Sequence, residues 1–154
     1  MRTLICIGTA VVLGYATPSL AQTIDATNPA KLASVIQDVG YRATLDVDGA
    51  GDPMIRSKAG GTDFQIYFYG CDDGAECKWL LFKVGYDLPG GTTLATVNQW
   101  NANTLFGRAY LDDEDDPWLE MGVTLDGGVT QQNFADVVDW WDVVRREFEE
   151  HIDF

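Results

Sequence analysis

Apolar residues recur along this chain with two different spacings, and these spacings predict its secondary structure. In three segments an apolar side chain occupies every second position, which is the pattern of a strand with one buried face. The alternating residues are Phe64, Ile66 and Phe68, then Leu80, Phe82 and Val84, then Leu119, Met121, Val123 and Leu125. Shorter strands are predicted between turns rich in glycine, aspartate and proline, over residues 41–47, 54–58 and 107–111.

Three other segments repeat apolar residues at steps of three and four, as expected of helices with one buried face. We predict them over residues 28–40, about 92–103 and 130–152. The second helix is expected to bury Leu94, Val97 and either Trp100 or Asn101. The third is the clearest, and its apolar stripe consists of Phe134, Val137, Val138, Trp141, Val144, Phe148 and Ile152.

The predicted elements follow one another in the order α-β-β-β-β-α-β-β-α. Strands joined by short turns must run antiparallel, and a helix with one apolar stripe packs against the apolar face of a sheet. We therefore expect an α+β fold of two layers, in which an antiparallel sheet carries the helices on one face.

The first 21 residues have the pattern of a secretory signal peptide. Arg2 gives a positive start, residues 4–15 are apolar and uncharged, and Ser19 and Ala21 are small residues before a cut at Gln22. The apolar run is shorter than the roughly 20 residues needed to span a bilayer. We therefore expect a periplasmic or secreted protein, with a signal peptide over 1–21, a flexible lead over 22–27 and one domain over 28–154.

The chain is strongly acidic, with 24 acidic residues against 10 basic ones and a net charge of −14. Removal of Arg2 with the signal peptide would leave 9 basic residues, which makes the net charge about −15. Such a surface repels nucleic acid and anionic membranes, because both require clusters of lysine and arginine. We expect neither as a partner of the mature protein. The acidity is compatible with solubility, with cation binding or with a basic partner.

Two cysteines remain after the predicted cleavage, Cys71 and Cys77, separated by five residues. An even number of cysteines in an exported chain indicates a disulfide. The spacing differs from that of redox dithiols, and no further Cys or His ligands for zinc lie nearby in the sequence. We expect a Cys71–Cys77 bridge that holds the hairpin between the strands at 64–69 and 79–84 in register.

The sequence offers no catalytic set. His151 is the only histidine and lies beside Glu149 and Glu150 near the end of the last helix. It could act as a general base, but a histidine at a helix end more often interacts with the helix dipole. We predict no catalytic residues, no cofactor and no enzymatic activity.

Two acidic loops invite a calcium interpretation. In the first loop, residues 46–52, the EF-hand pattern would begin at Asp46. It is broken, because Ala50 and Ser57 occupy its ligand positions five and twelve. Residues 112–116 are five consecutive carboxylates, which could hold a cation or form a solvated loop that blocks sheet pairing. We predict no metal site and keep a small-ligand or calcium-binding periplasmic protein as the alternative function.

Strand alternation places large side chains on the face opposite the predicted core. Aromatic and arginine residues dominate binding hot spots, although aromatic pairs also stabilise exposed sheets. We interpret this face as a candidate partner surface formed by Tyr67, Tyr69, Trp79, Arg108, Tyr110 and Trp118.

Several motifs are shared with one known family. They are Tyr67-Phe-Tyr-Gly-Cys71, Gly85-Tyr-Asp87, Val97-Asn-Gln-Trp-Asn101, Phe106-Gly-Arg-Ala-Tyr-Leu-Asp112, Leu119-Glu-Met121, Gly127-Gly128, and Phe134 with Trp140. By these motifs the chain resembles the YbjN-domain family, sometimes described as bacterial sensory transduction regulators. The resemblance implies a fold similar to type III secretion chaperones and carries no established catalytic residues. We therefore expect an exported, chaperone-like or adaptor-like binding module that contacts a protein partner or its own copy.

Overall fold

The structure of the protein is a computed structural model, which describes residues 23–154. The predicted signal peptide and its cleavage site before Gln22 lie outside the described residues. Within that part of the chain, no helix is sufficiently long and apolar to cross a membrane.

The secondary structure consists of three helices and eight strands within residues 23–154. The helices are α1 (Pro29–Asp38), α2 (Leu94–Asn103) and α3 (Gln131–His151). The strands are β1 (Thr23–Ile24), β2 (Arg42–Val47), β3 (Pro53–Ala59), β4 (Thr62–Tyr69), β5 (Trp79–Gly85), β6 (Arg108–Leu111), β7 (Pro117–Thr124) and β8 (Val129–Thr130). The predicted α+β class and element order are confirmed, with β1 and β8 added as short strands.

Six strands form one antiparallel sheet in the order β2-β3-β4-β5-β7-β6. Its chain order is broken once, since β7 pairs with β5 and leaves β6 at the edge. The hairpin loop between β6 and β7 is the acidic segment 112–116.

Each helix begins within two residues of its predicted start. The side chains of Asn28, Thr93 and Thr130 accept hydrogen bonds from the backbone N–H three residues later, at 3.0, 3.2 and 3.1 Å. These contacts satisfy N–H groups that the first helical turn leaves without partners. The helix starts were therefore predictable from local sequence alone.

The core lies between α3 and the inner face of the sheet, which we define as the face that the helices cover. The ring of Trp141 lies 5.7 Å from that of Phe64 and 5.6 Å from that of Phe82. Trp100 of α2 joins the same core through Phe148, at a centroid distance of 5.0 Å. Aromatic rings at these separations contribute packing energy beyond the area they bury.

Two local predictions were wrong. Residues 22–27 were expected to be a flexible lead, but Thr23 and Ile24 pair with Thr130 and Val129, and Ile24 is buried. Leu94 was expected on the inner side of α2, yet it is exposed. The helix begins at Leu94, and its buried residues are Val97 and Trp100.

Candidate functional site

The candidate partner surface lies on the outer face of the sheet, which we define as the face opposite the helices. Strand register places Tyr69 beside Trp79 and Tyr67 beside Leu81. On the same face, near the β6 edge of the sheet, Tyr110 lies beside Trp118. The six predicted residues therefore share one face. The pair of Leu81 and Gly122 on β5 and β7 divides this face into a first cluster of Arg108, Tyr110 and Trp118 and a second cluster of Tyr69 and Trp79. Tyr67 lies between them, beside Leu81.

The first cluster surrounds a carboxylate that the sequence did not single out. Glu120 is 7% exposed although it lies on the outer face. Its carboxylate accepts hydrogen bonds from Arg108 at 2.6 Å and from the Tyr110 hydroxyl at 3.1 Å, and Lys83 lies at 3.4 Å. Buried charges require such partners. Arg108 was predicted as part of the partner surface, and its guanidinium donates one hydrogen bond to Glu120 within the sheet.

Burial tends to raise the pKa of Glu120, because it disfavours the charged form. Hydrogen bonds from Arg108, Tyr110 and Lys83 outweigh this effect and leave the pKa below its ordinary value of 4.5. The carboxylate is consequently ionised at neutral pH and ties β5, β6 and β7 together.

We expect acid to weaken this network. Since the pKa of Glu120 is lower in the folded state, its contribution to stability is complete above pH 4.5 and is lost as pH falls through the folded-state pKa. Glu120→Gln should therefore flatten the acid limb of a plot of unfolding free energy against pH, measured by urea denaturation. Glu114→Gln in the exposed loop serves as the control and should leave that limb unchanged.

Trp118 belongs to this internal network. Its indole N–H donates to Asp112 at 2.9 Å, its ring stacks on Tyr110 with 12° between the planes, and Lys83 lies 4.7 Å above it. The ring also covers Gly85, where an added Cβ would come within 2.7 Å of it. Arg108, Tyr110 and Trp118 thus stabilise the sheet and offer only part of their surface to a partner.

The second cluster is more open. Trp79 is 57% exposed and Tyr69 is 44% exposed, and no comparable ion-pair network covers either ring within residues 23–154. Together with Leu81, Gly122 and Val123 they line a cavity of about 380 Å³. Its walls are predominantly apolar side chains. This end of the outer face can therefore receive an apolar group.

The disulfide supports the hairpin that carries the second cluster. Cys71 and Cys77 are joined, as predicted, and they lie between the ends of β4 and β5. The backbone N–H of Lys78 donates to the Tyr69 carbonyl at 2.9 Å. Closing so short a loop contributes about 2 kcal/mol in the chain-entropy model. The bridge thus holds Tyr69 and Trp79 side by side.

In each acidic loop one aspartate carboxylate accepts hydrogen bonds from within its own turn. Asp48 accepts hydrogen bonds from the N–H groups of Ala50 and Asp52. Asp112 accepts from Glu114 and Asp116 as well as from Trp118. These are Asx-type turns, and within residues 23–154 no three acidic, His or Cys side chains converge as a metal site.

His151 joins two helices. Its Nε2 lies 2.8 Å from the Thr96 carbonyl oxygen, which can only accept, so the ring nitrogen donates. The ring packs against Trp100 and Phe148. This histidine links the end of α3 to α2.

Comparison with known proteins places the chain in a family. The model of the YbjN family, described as "Putative bacterial sensory transduction regulator", matches residues 28–154. No curated protein and no solved structure matches the chain. The similarity to type III secretion chaperones that the resemblance implied therefore stays a prediction.

Proposed function

Because the chain belongs to the YbjN family, we propose that it is an exported, non-catalytic adaptor that binds a polypeptide at the second aromatic cluster of the outer face. The family description gives a regulatory context. A protein that regulates without chemistry of its own must act through contacts. The periplasm or the extracellular space is the proposed location, since the first 21 residues resemble a signal peptide.

The observation that carries this proposal is the exposed pair of Tyr69 and Trp79 beside an apolar cavity. Exposed side chains of this size are costly to leave in water. Tyrosine and tryptophan are the residues that most often anchor a partner. The disulfide and the hairpin hold both rings in place before binding, which lowers the entropic cost of association.

Tyr69→Ser combined with Trp79→Ser should weaken partner binding strongly while folding is retained. Loss of two aromatic anchors is expected to lower affinity by about 30-fold or more. The tagged, oxidised protein would be incubated with periplasmic extract, and the captured proteins quantified by mass spectrometry. Thermal melting of the same samples shows whether the variant is folded.

Trp140→Ser is the matched control, because Trp140 is equally exposed but lies on α3. It should capture the same proteins as wild type. If the Tyr69/Trp79 variant also captures them in unchanged amounts, the second cluster is not the contact and the proposal is wrong.

A small apolar ligand is the second candidate, and the cavity beside Trp79 favours it. Its volume of about 380 Å³ lies within the usual range of ligand sites. A melting shift that saturates with an added small molecule, in the absence of any protein partner, would support this alternative.

A further inference from the structure

One edge of β7 has no neighbouring strand along its second half. β5 pairs with β7 as far as Thr124, whereas β6 pairs only with residues 117–120. Gly122 and Thr124 therefore lie beside an open edge on the side where β6 has ended.

Backbone alternation shows which groups face that opening. The N–H and C=O of Ala109 bond to the side chain of Asn101, so the backbone groups of Arg108 face β7 and meet Glu120. In an antiparallel strand every second residue faces the same side. The N–H and C=O groups of Gly122 and Thr124 consequently point to the open edge. Within residues 23–154 these backbone groups have no hydrogen-bond partner.

The open edge meets two cavities at Gly122. The apolar cavity beside Trp79 and Leu81 lies on the outer face. A second cavity, of about 600 Å³, continues from Gly122 to Leu105 and Phe106, and Leu105 is 89% exposed. The space above Gly122 is empty, because a Cβ there would meet no atom within 4 Å. Gly122 therefore leaves the passage between the two cavities open.

Charge indicates which polypeptide fits the edge. The chain has 24 acidic residues against 10 basic ones, and exposed Asp126 lies two residues after Thr124. Lys83 of β5 and Arg108 of β6 are both paired with Glu120. A second copy of this chain would bring the same negative charge, whereas a basic segment would complement it.

From these observations we infer that Gly122–Thr124 is a strand-addition site for an extended, basic peptide segment. The segment pairs with the backbone of β7 and places one apolar side chain in the cavity between Trp79 and Leu81. Main-chain pairing of this kind gives affinity, and the cavity gives specificity. The inference rests on the proposed function and adds the conformation and charge of the partner.

The test uses the oxidised protein and a fluorescein-labelled peptide that alternates lysine and leucine over eight residues. Two further peptides separate the contributions: the same sequence N-methylated at its leucines, and a glutamate–leucine repeat. Fluorescence anisotropy measures each dissociation constant. We expect each of the two altered peptides to bind at least about tenfold more weakly, because one lacks backbone donors and the other the complementary charge.

Gly122→Val blocks the cavity without breaking the pairing of β7 with β5. It should weaken binding of the lysine–leucine peptide at least about tenfold while the melting temperature holds or rises, since valine suits a strand better than glycine. The matched control is Leu45→Thr, which changes an exposed apolar side chain on β2, the edge strand at the opposite end of the sheet. This variant should leave peptide binding unchanged.

The outcomes separate this inference from the proposed function. If Tyr69→Ser with Trp79→Ser abolishes binding but Gly122→Val and N-methylation do not matter, the face binds and strand addition is wrong. If the glutamate–leucine peptide binds equally well, the basic character of the partner is wrong. If sedimentation shows a dimer that Gly122→Val dissociates and no peptide binds, a second copy occupies the edge and the inference is overturned.

Discussion

Trp141→Ala should lower the free energy of unfolding by about 3–5 kcal/mol, the usual loss when a large buried aromatic residue is truncated. Trp141 is 0% exposed and packs against Phe64 of β4 and Phe82 of β5. Its removal would leave a cavity between α3 and the centre of the sheet. A typical domain has only about 5–15 kcal/mol of stability in total, so we expect a severe loss in urea denaturation.

Trp140→Ala provides the matched control in the same helix. Trp140 is 54% exposed and contacts only the similarly exposed Phe106 among the aromatic rings described. Its truncation should cost much less than that of Trp141. Equal losses for the two variants would show that α3 does not bury the face assigned to it.

Arg145→Met should lower the free energy of unfolding by roughly 3 kcal/mol, because it breaks a buried ion pair and leaves its partners without a cation. Arg145 is 1% exposed, and its guanidinium donates to Asp142 at 2.7 Å and to Glu149 at 2.5 Å. Because methionine keeps much of the side-chain volume, the lowered free energy of unfolding measures mainly the removal of the guanidinium charge. The value lies at the lower end of the usual range because both carboxylates keep partial contact with water.

Arg146→Met is the control for this prediction. Arg146 also donates to Asp142, at 3.1 Å, but it is exposed, and exposed pairs contribute about 0–1 kcal/mol. A loss for Arg146 as large as that for Arg145 would contradict the importance of burial. Both variants would be compared by urea denaturation at neutral pH.

Arg145 also illustrates how α3 is joined to a distant hairpin. A Cβ at Gly60 would lie 3.1 Å from the Arg145 guanidinium, so the turn between β3 and β4 passes closely over it. Thr62 donates to Glu149 at 2.7 Å. In the sequence, Arg145 is simply an arginine beside the apolar stripe of a helix. Its burial depends on a turn some 85 residues earlier, which no local pattern can indicate.

The candidate site was predictable in part, for a similar reason. Alternation in β4 and β5 correctly put Tyr69 and Trp79 on one face, and strand parity did the same for Tyr110 and Trp118. Strand alternation could not distinguish exposed aromatic residues, such as Trp79, from those held in the hydrogen-bond network around Glu120. That distinction follows from Glu120, whose partners come from the neighbouring strands β5 and β6.

Features that depend on neighbouring residues could be predicted from the sequence. The period of apolar residues predicted the strands, the approximate helix bounds and the face of α3, and two nearby cysteines indicated their bridge. The tertiary structure alone decided the burial of Glu120 and Arg145, the pairing of β1 with β8 and the open edge of β7. These features depend on which distant elements come together. The most important case is β7, which lies between β5 and β6 and extends beyond the end of β6. Burial is a property of the assembled layers and not of the local chain.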